Sequence, residues 1–129
     1  MEVRVFDKGK YEGNPTDRIR EVLEKIAPLG YAVIAVRGPG FSANLTGLVY
    51  IGRDGDDPVL KVKGCKCADG CNCHIHLMWD KVLDYTLALE DVGHGEPEPV
   101  IYLTGEDGEP IVNLFYPGRT YAEIEALLI

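Results

Sequence analysis

The chain has 129 residues, 46% hydrophobic and 26% charged, with a net charge of −8, which suits one domain over residues 1–129 with a core of its own. The acidic balance argues against a nucleic-acid surface, which needs clustered Lys and Arg, and no apolar run approaches the roughly 18 residues of a membrane span. The N-terminal residues lack the basic-then-apolar layout of a signal sequence, so a cytoplasmic protein without a membrane partner is expected.

Residues 2–6 alternate like a short strand. Asn14 then reads as a helix cap, with Pro15 at the first helical position. Ile19, Val22, Leu23 and Ile26 follow at helical spacing, and Pro28 and Gly30 end the helix. Residues 31–36 are rich in strand formers, and Gly38, Pro39 and Gly40 mark a turn. Residues 41–51 read as a second strand, broken or bulged near Gly47. Residues 53–58 form the next turn; they lack the spaced ligands and distal Glu of a calcium loop.

Residues 59–67 and 71–79 are two further strands of a Cys-rich β-hairpin at 59–79. Residues 82–89 continue the sheet, and a polar loop runs to about Pro97. Residues 100–103 and 111–116 pair around Glu106, Asp107 and Gly108, a hairpin signal. Thr120 and Glu123 fit a capping box that starts a last helix, with Tyr121, Ile124 and Leu128 inward. The expected fold class is α+β: a large antiparallel, meandering sheet with an N-terminal and a C-terminal helix. Between residues 90 and 109 lie seven acidic residues and no Lys or Arg. That stretch reads as a solvated rim or as a docking face for a basic partner.

Twelve residues, 65–76, hold all four cysteines and two of the three histidines. A turn at 68–70 would set Cys67 opposite Cys71 and Cys65 opposite Cys73, all on one face, because strand side chains alternate. Four converging thiols suit a soft metal, cross-strand disulfides or redox chemistry, or a reduced packed interior. Zinc would need the loop to bulge into a tetrahedron. Copper(I) accepts two or three thiolates and fits Cys-x-Cys pairs more readily, while such short spacing hinders an iron–sulfur cluster. Cys65, Cys67, Cys71 and Cys73 are therefore the candidate metal ligands. His74 and His76 fall on the other face by the same alternation, where an imidazole is available to a different ligand. His94, between glycines in the acidic loop, reads as solvated. No nucleophile–base pair or phosphate loop is legible, so an enzyme is not expected.

The run His76-Leu77-Met78-Trp79-Asp80-Lys81-Val82 resembles the His-Leu-x-x-Asp-x-Ile element of intracellular haem-utilisation proteins of the ChuX/HutX, HemS-like type. Residues 100–103, the turn at 105–108 and residues 111–115 are similar to that family's strand, Asp-x-x-Gly turn and Phe-containing strand. The opening helix and residues 30–36 resemble its first helix and long strand. The resemblance covers roughly residues 15–125 and implies a haem or tetrapyrrole carrier with His76 as iron ligand. His74 is the alternate, and Met78 and Trp79 are candidate pocket walls. It also makes a homodimer plausible. Where the family carries an aromatic, Asn-containing segment before this histidine, the present chain has its Cys-rich hairpin. A metal-binding or thiol-redox module built on that cluster is the alternative reading.

Overall fold

A computed structural model describes residues 15–38, 40–54, 57–63, 74–79, 81–91, 93 and 95–129. The expected strand at 2–6, the Asn14 cap, the four cysteines and His94 lie outside the described residues.

Helix α1, Pro15–Ile26, forms where the apolar spacing predicts it. Ile19, Val22, Leu23 and Ile26 are all buried on one stripe, each worth about 1.5–3 kcal/mol of apolar burial as an upper bound. A 3-10 turn, Ala27–Leu29, ends it, and Gly30 turns the chain with φ of 88° while donating its N–H to the Ala27 carbonyl at 3.3 Å. A side chain at that backbone angle would be strained, so glycine suits the stop.

Among the described residues seven strands follow: β1 Tyr31–Gly38, β2 Phe41–Asp54, β3 Asp57–Lys63, β4 His74–Ile75, β5 Asp84–Glu90, β6 Glu98–Thr104 and β7 Pro110–Phe115. Helix α2, Tyr121–Leu128, closes the chain. The strands form one antiparallel sheet in the order β4-β3-β2-β1-β7-β6-β5. Two meanders, β1–β4 and β5–β7, are therefore joined side by side through β1 and β7. The expected α+β architecture with a helix at each end is observed.

Paired residues share a face of the sheet. One such row crosses four strands as Ile34, Leu114, Ile101 and Leu87, and all four are fully buried. Both helices cover this face, where the buried stripe of α1 and Tyr121, Ile124 and Leu128 of α2 join the same core. On the other face the corresponding row runs Asn44, Ala35, Asn113, Tyr102 and Thr86. Tyr31 and Tyr50, at 59% and 41% exposure, stand on that open side.

Three polar links orient the helices. Arg18 of α1 reaches Asp84 at 3.1 Å and lies 5.4 Å above the Tyr85 ring, fixing the helix to β5. Ahead of α2, Arg119 donates to the Leu29 carbonyl at 2.8 Å and pairs with Glu123 at 3.1 Å. The Thr120 hydroxyl accepts from the Glu123 N–H at 3.1 Å, while the Glu123 carboxylate accepts from the Thr120 N–H at 3.3 Å, which completes the expected capping box.

Two local expectations change. β2 runs unbroken past Gly47, which pairs in register with Ala32. Gly47 is buried on the helix-covered face and keeps the ladder in register, so it marks no bulge. The strand expected at 71–79 is described as a strand only at His74–Ile75, paired with Lys61 and Leu60. From His76 the chain leaves the ladder and crosses the sheet end, so the alternation that set His76 beside His74 on one face does not extend to it.

Candidate functional site

The segment after β4 is held by two backbone hydrogen bonds. The Lys81 N–H donates to the Met78 carbonyl at 2.8 Å, closing a turn, and the Leu83 N–H donates to the Thr104 carbonyl at 2.9 Å. The second bond ties the segment to β6, at the end of the sheet where the β1–β2 turn also lies. Leu77 and Val82 are buried in the core and anchor both ends of the turn. His76, just before Leu77, and Met78, just after it, remain exposed.

A groove of about 380 Å³ opens beneath this turn, lined by Val36, Phe41, Ile75, His76, Leu77, Met78, Lys81, Val82, Ile111 and Val112. It lies within the roughly 300–1,000 Å³ of small-molecule sites, which typically pair apolar walls with a few placed polar groups. Of these lining residues only His76 and Lys81 are titratable. On a chain of net charge −8 the described lining residues thus present an imidazole and an ammonium and no carboxylate. That suits a ligand with a large apolar body, a site for nitrogen ligation and negative charge at its edge. A haem or related iron tetrapyrrole has these properties, and the residues present fit it: an imidazole is a standard axial ligand, and apolar walls receive the ring.

The candidate residues divide as follows. His76 and Met78 line the groove together. Trp79 is half-buried and packs against the hydrophobic core. His74 sits in β4, where its backbone pairs with Lys61. Cys65, Cys67, Cys71 and Cys73 fall outside the described residues, and among the described residues no group of three or more His, Cys, Asp or Glu is placed to hold a metal ion. No helix of the described residues is long and apolar enough to cross a membrane. Phe41, Val36, Val112 and Lys81 line the groove without having been singled out from the sequence. Phe41, 61% exposed just after the Gly38–Gly40 turn, carried the one visible signal: a large aromatic at a strand start with no core to enter.

Neither a protein-family model nor a curated protein sequence matches this chain. Solved structures do. ChuX superposes with a TM-score of 0.60 at 16% identity, covering 98% of this chain and 76% of that one. A second structure, of the haem-binding protein ChuX, gives 0.58 at 14%, covering 98% and 72%. A protein of Agrobacterium tumefaciens gives 0.59 at 15% identity; 88% of this chain is covered, and it spans 64% of the length of that protein. At these identities the likeness establishes a shared fold.

Proposed function

We propose that this chain binds a haem or closely related iron tetrapyrrole in the groove beneath the 76–82 turn, as a carrier. The observation that carries the reading is the placement of His76: an exposed imidazole in a groove whose other described walls, Lys81 apart, are apolar, on a fold shared with a haem-binding protein. Bound there, the group would supply an iron centre for the imidazole to ligate. His76 holds the iron, with His74 as the alternate ligand. Val36, Phe41, Ile75, Val112 and the Met78 thioether exclude water from the ring face. Lys81 offers its ammonium to carboxylate substituents, an interaction that salt weakens. Trp79, packed behind the turn, orients the segment that carries His76.

The test is an absorption titration of the reduced protein with haemin. A saturable Soret shift at about one equivalent, lost in His76→Ala and retained in His74→Ala, supports the assignment. Trp79 is the single tryptophan, and quenching of its emission in the same titration gives a second reading. A featureless or non-saturating titration defeats the proposal.

A further inference from the structure

Ile111 lines the His76 groove together with Val36 and Val112, and it also lines a shallow groove on the open face of the sheet together with Asn113 and Phe115. In a regular ladder a strand residue serves one face, because side chains alternate. The ladder is not regular here. Leu103 pairs with Val112 but Thr104 pairs with Pro110, so the register shifts by one and leaves Ile111 without a partner on β6. The pairing with β1 likewise ends at Val36 and Val112. Asn113 and Phe115 keep the alternation and face the open side, where the Asn113 side-chain oxygen is buried with no hydrogen bond among the described residues. Ile111 is thus the extra residue of a β-bulge, a device that re-aims one side chain.

Gly105 stands behind the bulge. It is buried and its φ is not left-handed, so what it supplies is space for a close approach. A methyl group there would lie 3.2 Å from Ile111 Cδ1, 3.4 Å from the Lys81 carbonyl oxygen and 3.5 Å from a Glu109 carboxylate oxygen. The first distance is shorter than the roughly 3.5–4.0 Å at which carbon atoms pack. Gly105 cannot back away easily, since its N–H donates to the Glu109 carbonyl at 3.0 Å and its carbonyl accepts from the Gly108 N–H at 3.1 Å. It therefore separates two walls of the His76 groove, the bulged Ile111 and the turn that ends in Lys81.

We propose that Ile111 determines the size of ring that the His76 groove accepts, and that Gly105 is the positioning residue that leaves its Cδ1 room. The proposal rests on the haem reading and deepens it: His76 meets the iron, and Ile111 meets the ring periphery, where tetrapyrroles differ in their substituents. Ile111 is only partly buried and packs against the core from the sheet end. Its bulk, with no ladder partner on β6 to fix its backbone, sets the width left for the ligand.

The probes are haemin and deuterohaemin, which carries hydrogen in place of the two vinyl groups, titrated by absorption into the full chain. Ile111→Phe narrows the groove and should weaken haemin about tenfold, the scale of overpacking a close-fitting site, but deuterohaemin only about threefold. Gly105→Ala presses on Cδ1 and should weaken haemin about threefold. Adding Ile111→Val, which lacks Cδ1, should restore the parent affinity. A general loss of structure would lower both rings alike and would not be rescued by a smaller side chain. Equal losses for the two rings in Ile111→Phe, or no rescue by Ile111→Val, overturn the role of Ile111 while haem binding stands. A parent protein that binds neither ring overturns the haem reading itself, and this role with it.

Discussion

Arg18 offers a direct measurement of what holds α1 on the sheet. Its side chain is 13% exposed, whereas that of its partner Asp84 is 40% exposed. The ion pair is thus partly screened and contributes about 0.5–1 kcal/mol. The guanidinium over Tyr85 adds about 0.5–1 kcal/mol, and its stem covers apolar surface that truncation would open. Arg18→Ala should therefore cost about 2 kcal/mol, and Arg18→Met, which keeps the stem, about 1.5 kcal/mol. For a chain of this size that is a fall in melting temperature of roughly 6–8 °C. Urea denaturation of both variants supplies the numbers, and a double-mutant cycle with Asp84→Asn isolates the ion pair, with an expected coupling of about 0.5–1 kcal/mol. Arg18→Met within about 0.3 kcal/mol of the parent would refute the argument that this contact positions the helix.

Thr120→Ala removes the hydroxyl that accepts the Glu123 N–H and should cost about 1 kcal/mol by the same denaturation assay. The Glu123 carboxyl is held below the ordinary 4.5, first by its hydrogen bond from Arg119 and then by the Thr120 N–H. A lowered carboxylate value stabilises the fold above its unfolded value and loses that contribution as pH falls through the folded one. Melting curves of the parent and Glu123→Gln should accordingly differ at neutral pH and converge in acid, whereas a gap independent of pH would contradict this. Burial pushes the Tyr116 phenol far above its usual 10.0. Stability should hold below that value and fall as pH rises past it, because only the unfolded phenol ionises; Tyr116→Phe should show a shallower alkaline decline. Asn113→Leu removes an acceptor that has no donor, so it should leave stability unchanged or raise it by about 1 kcal/mol, while Asn113→Asp should lower it by more than about 2 kcal/mol.

The parts of this fold legible from sequence are those with short-range causes. The stripe of Ile19, Val22, Leu23 and Ile26, the Thr120–Glu123 box and the Glu106–Gly108 turn each act within one element, and each is found where its spacing puts it. Gly47 misled because a glycine in a strand can mark a bulge or a close approach, and only the neighbouring layer decides which. The groove shows the same limit. His76 and Met78 stand out within one short run, but Val36, Phe41 and Val112 come from β1, β2 and β7. No periodicity within a strand reveals which residues of other strands will share its end of the sheet. Trp79, adjacent in sequence, turns to the core because the Met78–Lys81 turn reverses the chain there.

The pairing of β1 with β7 joins Ile34 to Leu114, eighty positions apart in the chain (114 − 34). Each meander can zip from its own turns, but this seam closes a long loop and brings its entropy cost, the kind of contact that slows folding. Val36 and Val112 pair within that seam and both line the His76 groove. The groove therefore does not exist in either half alone. A ligand seated there favours the joined state by mass action, by about 2.7 kcal/mol at a hundredfold excess over its dissociation constant. Ligand binding and the β1–β7 seam are thereby coupled, and the helices and common core share in holding that seam closed.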